Sequence, residues 1–196
     1  MITSRLSRAL SLAIEAHDGD VRKGTTIPYI SHPLGVASIV LEYGGDEDQA
    51  IAALLHDAIE DGGIKYADII EAAFGGRVLA LVEGCTDGVP DAQGHKADWY
   101  ERKRNYLVHL SQAHDDVLLV SGADKLHNAR AIVSDLSAIG EFVFERFSTK
   151  KDGTLWYYSS LSAVFKDRGV PMANAIEEAV NALLARNDQR HPYLKA

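Results

Sequence analysis

A chain of 196 residues with 46% hydrophobic side chains has the length and apolar content of one globular domain, expected to span 1–196. Its net charge of −8 excludes nucleic-acid binding through a general positive field, and its single cysteine, Cys85, excludes a disulfide framework and fits a reducing, cytoplasmic compartment. Met1-Ile2-Thr3-Ser4-Arg5 opens no apolar secretory stretch, and no run is long enough to span a bilayer, so no membrane association is expected.

The elements read in chain order are helical. Leu6, Ala9, Leu10, Ala13 and Ile14 recur at spacings of three and four and predict a first amphipathic helix, which Gly19, Gly24 and Pro28 break into a loop. Ser31-His32-Pro33 opens a second helix, with Ser31 as its cap and Pro33 in the first turn, and Gly44-Gly45 ends it. Asp46 caps a third, expected to run through Ala50, Ala53 and Leu54 into His56-Asp57 before Gly62-Gly63 stops it. Shorter helical patterns follow at 66–73 and 75–84, then an exposed loop at 86–97. Helices are expected at 99–112, 114–133, 154–167 and 172–186, the last two parted by Gly169-Val170-Pro171. Val117 to Val120 has strand propensity, but its helical neighbours favour helix. The fold class expected is therefore all-α, a single bundle of roughly eight to ten helices.

The chemistry concentrates in Leu54-Leu55-His56-Asp57-Ala58-Ile59-Glu60-Asp61, where a histidine and three acids follow an apolar run. If the helix continues, His56 and Glu60 lie one turn apart, as do Asp57 and Asp61. His32 at a helix start and Asp124 at the polar end of an apolar helix complete a set of two histidines and two aspartates. Mixed nitrogen and oxygen donors of this kind suit Mn²⁺, Fe²⁺, Zn²⁺ or Co²⁺ better than Ca²⁺ or Mg²⁺. Taken singly, each residue has an ordinary explanation as a cap, a surface residue or an ion-pair partner, and only the joint pattern points to a metal. Cys85 reads as a small core residue. Arg102-Lys103-Arg104 cannot all face one way on a helix, so at most one reaches a bound phosphate. Arg146, Lys150, Trp156, Tyr157 and Tyr158 form a basic and aromatic cluster that fits the core better than a pocket, although one tyrosine can border a bound ligand.

His32, the His56-Asp57 doublet and Asp124 follow the order of the HD superfamily of metal-dependent phosphohydrolases. Together with Arg22-Lys23-Gly24, Pro28-Tyr29-Ile30-Ser31-His32-Pro33, His56 through Asp61, and Ala123-Asp124-Lys125-Leu126-His127-Asn128-Ala129-Arg130, the chain resembles the RelA/SpoT-type hydrolase domain, most closely its stand-alone small alarmone hydrolases. Phe74-Gly75 and Thr86-Asp87 also fall where that family has such pairs, and the resemblance covers about 5–135, leaving helices at about 138–190 outside it. It implies removal of the 3′-diphosphate of (p)ppGpp as pyrophosphate with one Mn²⁺. His32, His56, Asp57 and Asp124 would be metal ligands, Glu60 and Asp61 the water-activating acids, Asn128 a group at the ribose and scissile phosphate, and Arg22 and Lys23 nucleotide contacts. Another nucleotide substrate, such as ppApp, NADPH or a nucleoside phosphate, remains the alternative. Ala131 departs from the small hydroxyl residue usual in the long family members. No signal for oligomeric state is present.

Overall fold

The computed structural model describes residues 1–88 and 97–185. Among them the only pairing outside helices is an isolated bridge between Val21 and Pro28. The all-α expectation holds. Ten helices follow in order: α1 (Ser4–Ala16), α2 (Ser31–Glu42), α3 (Glu47–Leu55), α4 (Ala58–Gly62), α5 (Lys65–Phe74), α6 (Gly76–Cys85), α7 (Trp99–Gln112), α8 (Asp115–Ile139), α9 (Lys150–Asp167) and α10 (Ala173–Ala185). A 3-10 helix (Gly140–Arg146) joins α8 to α9.

Helix α3 is the axis of the molecule. Every residue from Gln49 to Leu55 is buried, and α1, α2, α6 and α8 pack around it. A helix apolar all round must be enclosed in this way. Its start is fixed as the sequence predicts: Asp46 accepts from the Gln49 backbone N–H while the Gln49 side chain accepts from the Asp46 backbone N–H. Ala9 and Ala13 on α1 and Ala50, Ala52 and Ala53 on α3 are small and fully buried, which permits close approach of the two backbones. Helix α8 has 25 residues, a length of about 37 Å. It spans the bundle between α2 on one side and α10 on the other. Gly122 makes one crossing possible, because a Cβ there would lie 2.6 Å from the Met172 sulfur.

Four local readings need correction. Helix α3 stops at Leu55; His56 and Asp57 form a break, and α4 begins at Ala58. Ser31 is the first residue of α2, and no side chain caps that helix. Helix α8 runs six residues beyond the predicted 133, and α9 begins four residues before the predicted 154. The 3-10 helix was not expected, being too short to carry a period. By contrast α7 has the predicted bounds. Most of the expected 86–97 loop and the end of the expected C-terminal helices lie outside the described residues. Cys85 is buried among apolar neighbours, as read, and burial pushes its thiol pKa up. No described helix is long and apolar enough to cross a membrane.

Candidate metal centre and its cavity

Three elements bring the four predicted ligands together. The loop between α1 and α2 is tied by backbone bonds from Arg22 N–H to Ile27 and from Tyr29 N–H to Asp20, at 2.8 and 2.9 Å, and delivers His32 in the first turn of α2. The break after α3 delivers His56 and Asp57, and α8 delivers Asp124. Adjacent side chains on a continuous helix diverge by about 100°. At the break they converge instead: His56 Nε2 lies 3.1 Å from Asp57 Oδ2. His32 Nε2 is 3.2 Å from Asp124 Oδ1 and 3.7 Å from Asp57 Oδ2, and His56 Nε2 is 3.7 Å from Asp124 Oδ1. His32, His56 and Asp124 are buried, and one ligand atom from each lies within 4.8 Å of the others.

The surroundings of these groups fit a divalent cation. His56 Nδ1 donates to the Ala53 carbonyl at 2.8 Å, so Nε2 is the nitrogen turned to the carboxylates, where it is buried without a hydrogen-bond partner. Such a bond on the outer nitrogen orients a metal-binding imidazole. Burial opposes positive charge on His56, yet Asp57 and then Asp124 outweigh it and hold its pKa well above the ordinary value. Burial likewise opposes ionisation of Asp124, but Lys125, followed by His32 and His56, holds its carboxyl well below the usual range. The four residues therefore enclose a place where positive charge is demanded, met by a proton or by a cation that displaces it.

Several partners of the ligands carry no period or motif spacing of their own. Tyr29 donates to Asp57 Oδ2 at 2.5 Å. Lys125 donates to Asp124 Oδ2 at 2.5 Å, and Asn128 donates from Nδ2 to Asp124 Oδ1 at 2.6 Å. Arg22 donates in turn to Asn128 Oδ1 at 2.7 Å, which links the two sequence-predicted groups across 106 positions. His127 faces His32, with their Nδ1 atoms 2.9 Å apart. Burial, then His32 and Arg22, pushes the His127 pKa down to about 4, and with the two Nδ1 atoms sharing one proton the His32 Nε2 faces Asp124 and Asp57.

The His127 ring occupies the space above Gly35 of α2, where a Cβ would stand 2.2 Å from its Nε2. Gly35→Ala is therefore expected to force His127 away from His32 and weaken metal binding by about 10- to 100-fold, measured by isothermal titration. Unchanged affinity would show that His127 does not orient His32.

Two of the four candidate ligands, Asp57 and Asp124, reach a cavity of about 520 Å³, with His32 and His56 buried behind them. Glu60, Asn128, Arg22 and Lys23 line it; Asp61 is exposed and is not among the lining residues. Of the Arg102-Lys103-Arg104 run only Lys103 lines it. Lys103 pairs with Asp87, sits 4.8 Å over the Tyr157 ring, and has its pKa pushed down to about 8, by burial first and then by Lys125. In the aromatic cluster, Tyr157 packs beneath Lys103 and Trp156 against Trp99 and Tyr100, while Tyr158 borders the cavity. Five Lys and Arg side chains and five carboxylates line this wall in a chain of net charge −8. The cavity is thus locally balanced, and a bound divalent cation would make it attractive to anions.

The profile of the HD domain matches residues 9–151. A zebrafish (Danio rerio) protein, guanosine-3′,5′-bis(diphosphate) 3′-pyrophosphohydrolase MESH1, is 38% identical over 133 residues, which cover 65% of this chain and 69% of that protein. A Synechocystis protein named probable guanosine-3′,5′-bis(diphosphate) 3′-pyrophosphohydrolase is 36% identical over 132 residues, which cover 65% of this chain but only 16% of that much longer relative. A solved structure of a metazoan ortholog of SpoT that hydrolyzes ppGpp superposes with a TM-score of 0.72 over 96% of this chain and 98% of that one; at 22% identity this likeness shows the fold.

Proposed function

The chain belongs to the HD-domain family, and from that premise we propose that it hydrolyses the 3′-diphosphate of (p)ppGpp, releasing pyrophosphate and GDP or GTP, with one divalent metal, Mn²⁺, held by His32, His56, Asp57 and Asp124. The observation that carries this reading is the convergence of His32, His56, Asp57 and Asp124 beside a cavity that the two aspartates reach and whose wall bears Arg22, Lys23, Lys103 and Lys125. The relatives whose names describe this reaction support it.

When bound, the metal supplies Lewis-acid polarisation and lowers the pKa of a coordinated water. The chain's own groups do the rest. Glu60 follows the ligand Asp57 by three residues and lines the cavity, where it takes the proton of the attacking water. Asp61 supports that proton's passage to solvent from its exposed position. Water oxygen bonds to the 3′ phosphorus and the bond to the ribose 3′ oxygen breaks; that oxygen takes a proton from solvent and becomes the 3′ hydroxyl of GDP or GTP, and the attacked phosphorus departs within pyrophosphate. Asn128, fixed between Arg22 and Asp124, offers a neutral amide to the ribose and scissile phosphate without adding negative charge. Lys103 and Lys125 offset the charge of the departing pyrophosphate, and Arg22 and Lys23 hold the nucleotide.

A nucleotide panel with Mn²⁺-loaded protein tests the substrate class. The expected product is pyrophosphate from 3′-diphosphates, with 5′-nucleotides inert. Release of single phosphate from 2′- or 3′-monophosphates, with no pyrophosphate from ppGpp, would overturn the proposal.

A further inference from the structure

We infer that Asp135, held in place by Arg146, reads the base of the bound nucleotide and selects guanine over adenine. This rests on the nucleotide reading above. Asp124, Asn128, Ala131 and Asp135 succeed one another at spacings of four, three and four, so they form one stripe on α8, and all four line the same cavity. Asn128 to Asp135 is about 10 Å along the helix, comparable with a nucleoside measured from its 3′ oxygen to the far edge of its base. A 3′-diphosphate held at Asp124 and Asn128 therefore directs its base toward Asp135. Ala131, the intervening position, has no hydrogen-bonding side chain, so reading along this stripe falls to the carboxylate one turn further on.

Asp135 is built into place. Arg146, the last residue of the 3-10 helix, donates from Nη1 to Asp135 Oδ2 at 2.5 Å. The arginine stem crosses Gly24, which has φ +70° and where a Cβ would lie 2.7 Å from the Arg146 Cγ and Cδ. The pair thus ties α8, the 3-10 helix and the Arg22-Lys23-Gly24 loop together at one end of the cavity. Phe147 also lines the cavity wall, where the Lys23 ammonium stands 5.8 Å over its ring. Guanine carries two adjacent donors, N1–H and the N2 amino group, and a carboxylate accepts from both. Adenine has an acceptor at N1 and no N2 amino group, so it leaves the carboxylate facing a lone pair. A bidentate contact of this kind discriminates by about 5- to 150-fold.

Two measurements test this on the full chain loaded with Mn²⁺: titration with GDP and with ADP, and kcat/KM for guanosine and adenosine 3′,5′-bis(diphosphate). Wild type should favour guanosine by about tenfold or more in both, and Asp135→Asn should narrow both ratios to within about threefold. If Asp135→Asn melts early, Arg146→Lys, which keeps the charge and loosens the carboxylate, should narrow them too. A guanosine preference that survives both substitutions, or wild type with no preference, overturns the inference. If neither bis(diphosphate) releases pyrophosphate while GDP binding keeps an Asp135-dependent preference, the hydrolase reading fails and the base-reading role stands.

Discussion

Glu60→Gln is expected to lower kcat by about 100- to 10,000-fold and to leave metal content unchanged, the loss that follows removal of a positioned general base. Glutamine keeps the shape and the polar contacts of the side chain but cannot accept the proton of the attacking water. Glu60 belongs to α4, the short helix that starts immediately after the His56–Asp57 break, so its backbone is fixed relative to the ligands by the same turn. It lines the cavity yet lies outside the buried group formed by His32, His56 and Asp124. Metal analysis and nucleotide titration of the variant should match wild type. Turnover within about threefold of wild type would remove Glu60 from the proton transfer, since even a modest general base contributes more.

His56→Ala is expected to abolish metal binding and to destabilise the metal-free fold by about 3–5 kcal/mol, because it strips a buried charge of its partner. The imidazole is 2% exposed and stands between Asp57, whose low pKa owes most to it, and Asp124, which Lys125 and His32 support before it. Alanine leaves those two carboxylates facing each other across a void. Elemental analysis checks the first effect and thermal melting the second. A variant that retains a full equivalent of metal would show that His56 is not a ligand. The same linkage gives a pH trend: metal must displace the proton that Asp57 and Asp124 hold on His56, so affinity rises with pH and falls in acid.

Much of the fold, and the residues that converge at the candidate site, were legible in the sequence for identifiable reasons. Asp46 announces α3 because capping is local chemistry, and α7 has the bounds read from its period. His32, His56, Asp57 and Asp124 were named from residue types and order, and they converge. The break between α3 and α4 was hidden because nothing at His56 or Asp57 forbids helix; the turn is set by where their side chains must point, which only the assembled site defines. Ser31 misled because the tied loop before it already carries helical backbone at Ile30, so the helix needs no side-chain cap. Tyr29, Lys125 and His127 were within quoted motifs, yet their tasks depend on partners that local spacing does not reveal, as with His32 and His127, 95 positions apart. The Asp135–Arg146 pair was more hidden still, since Arg146 ends a 3-10 helix that has no periodic signal.

The proposed reaction requires His32, His56, Asp57 and Asp124 to hold the metal on which pyrophosphate release depends. The direct measurement is pyrophosphate release from guanosine 3′,5′-bis(diphosphate) by protein stripped with a chelator and then titrated with Mn²⁺. The account predicts no release from the stripped protein and activity that rises to a plateau at one equivalent of Mn²⁺ per chain. Full release by the stripped protein, or restored activity in His56→Ala at the same single equivalent, would contradict it.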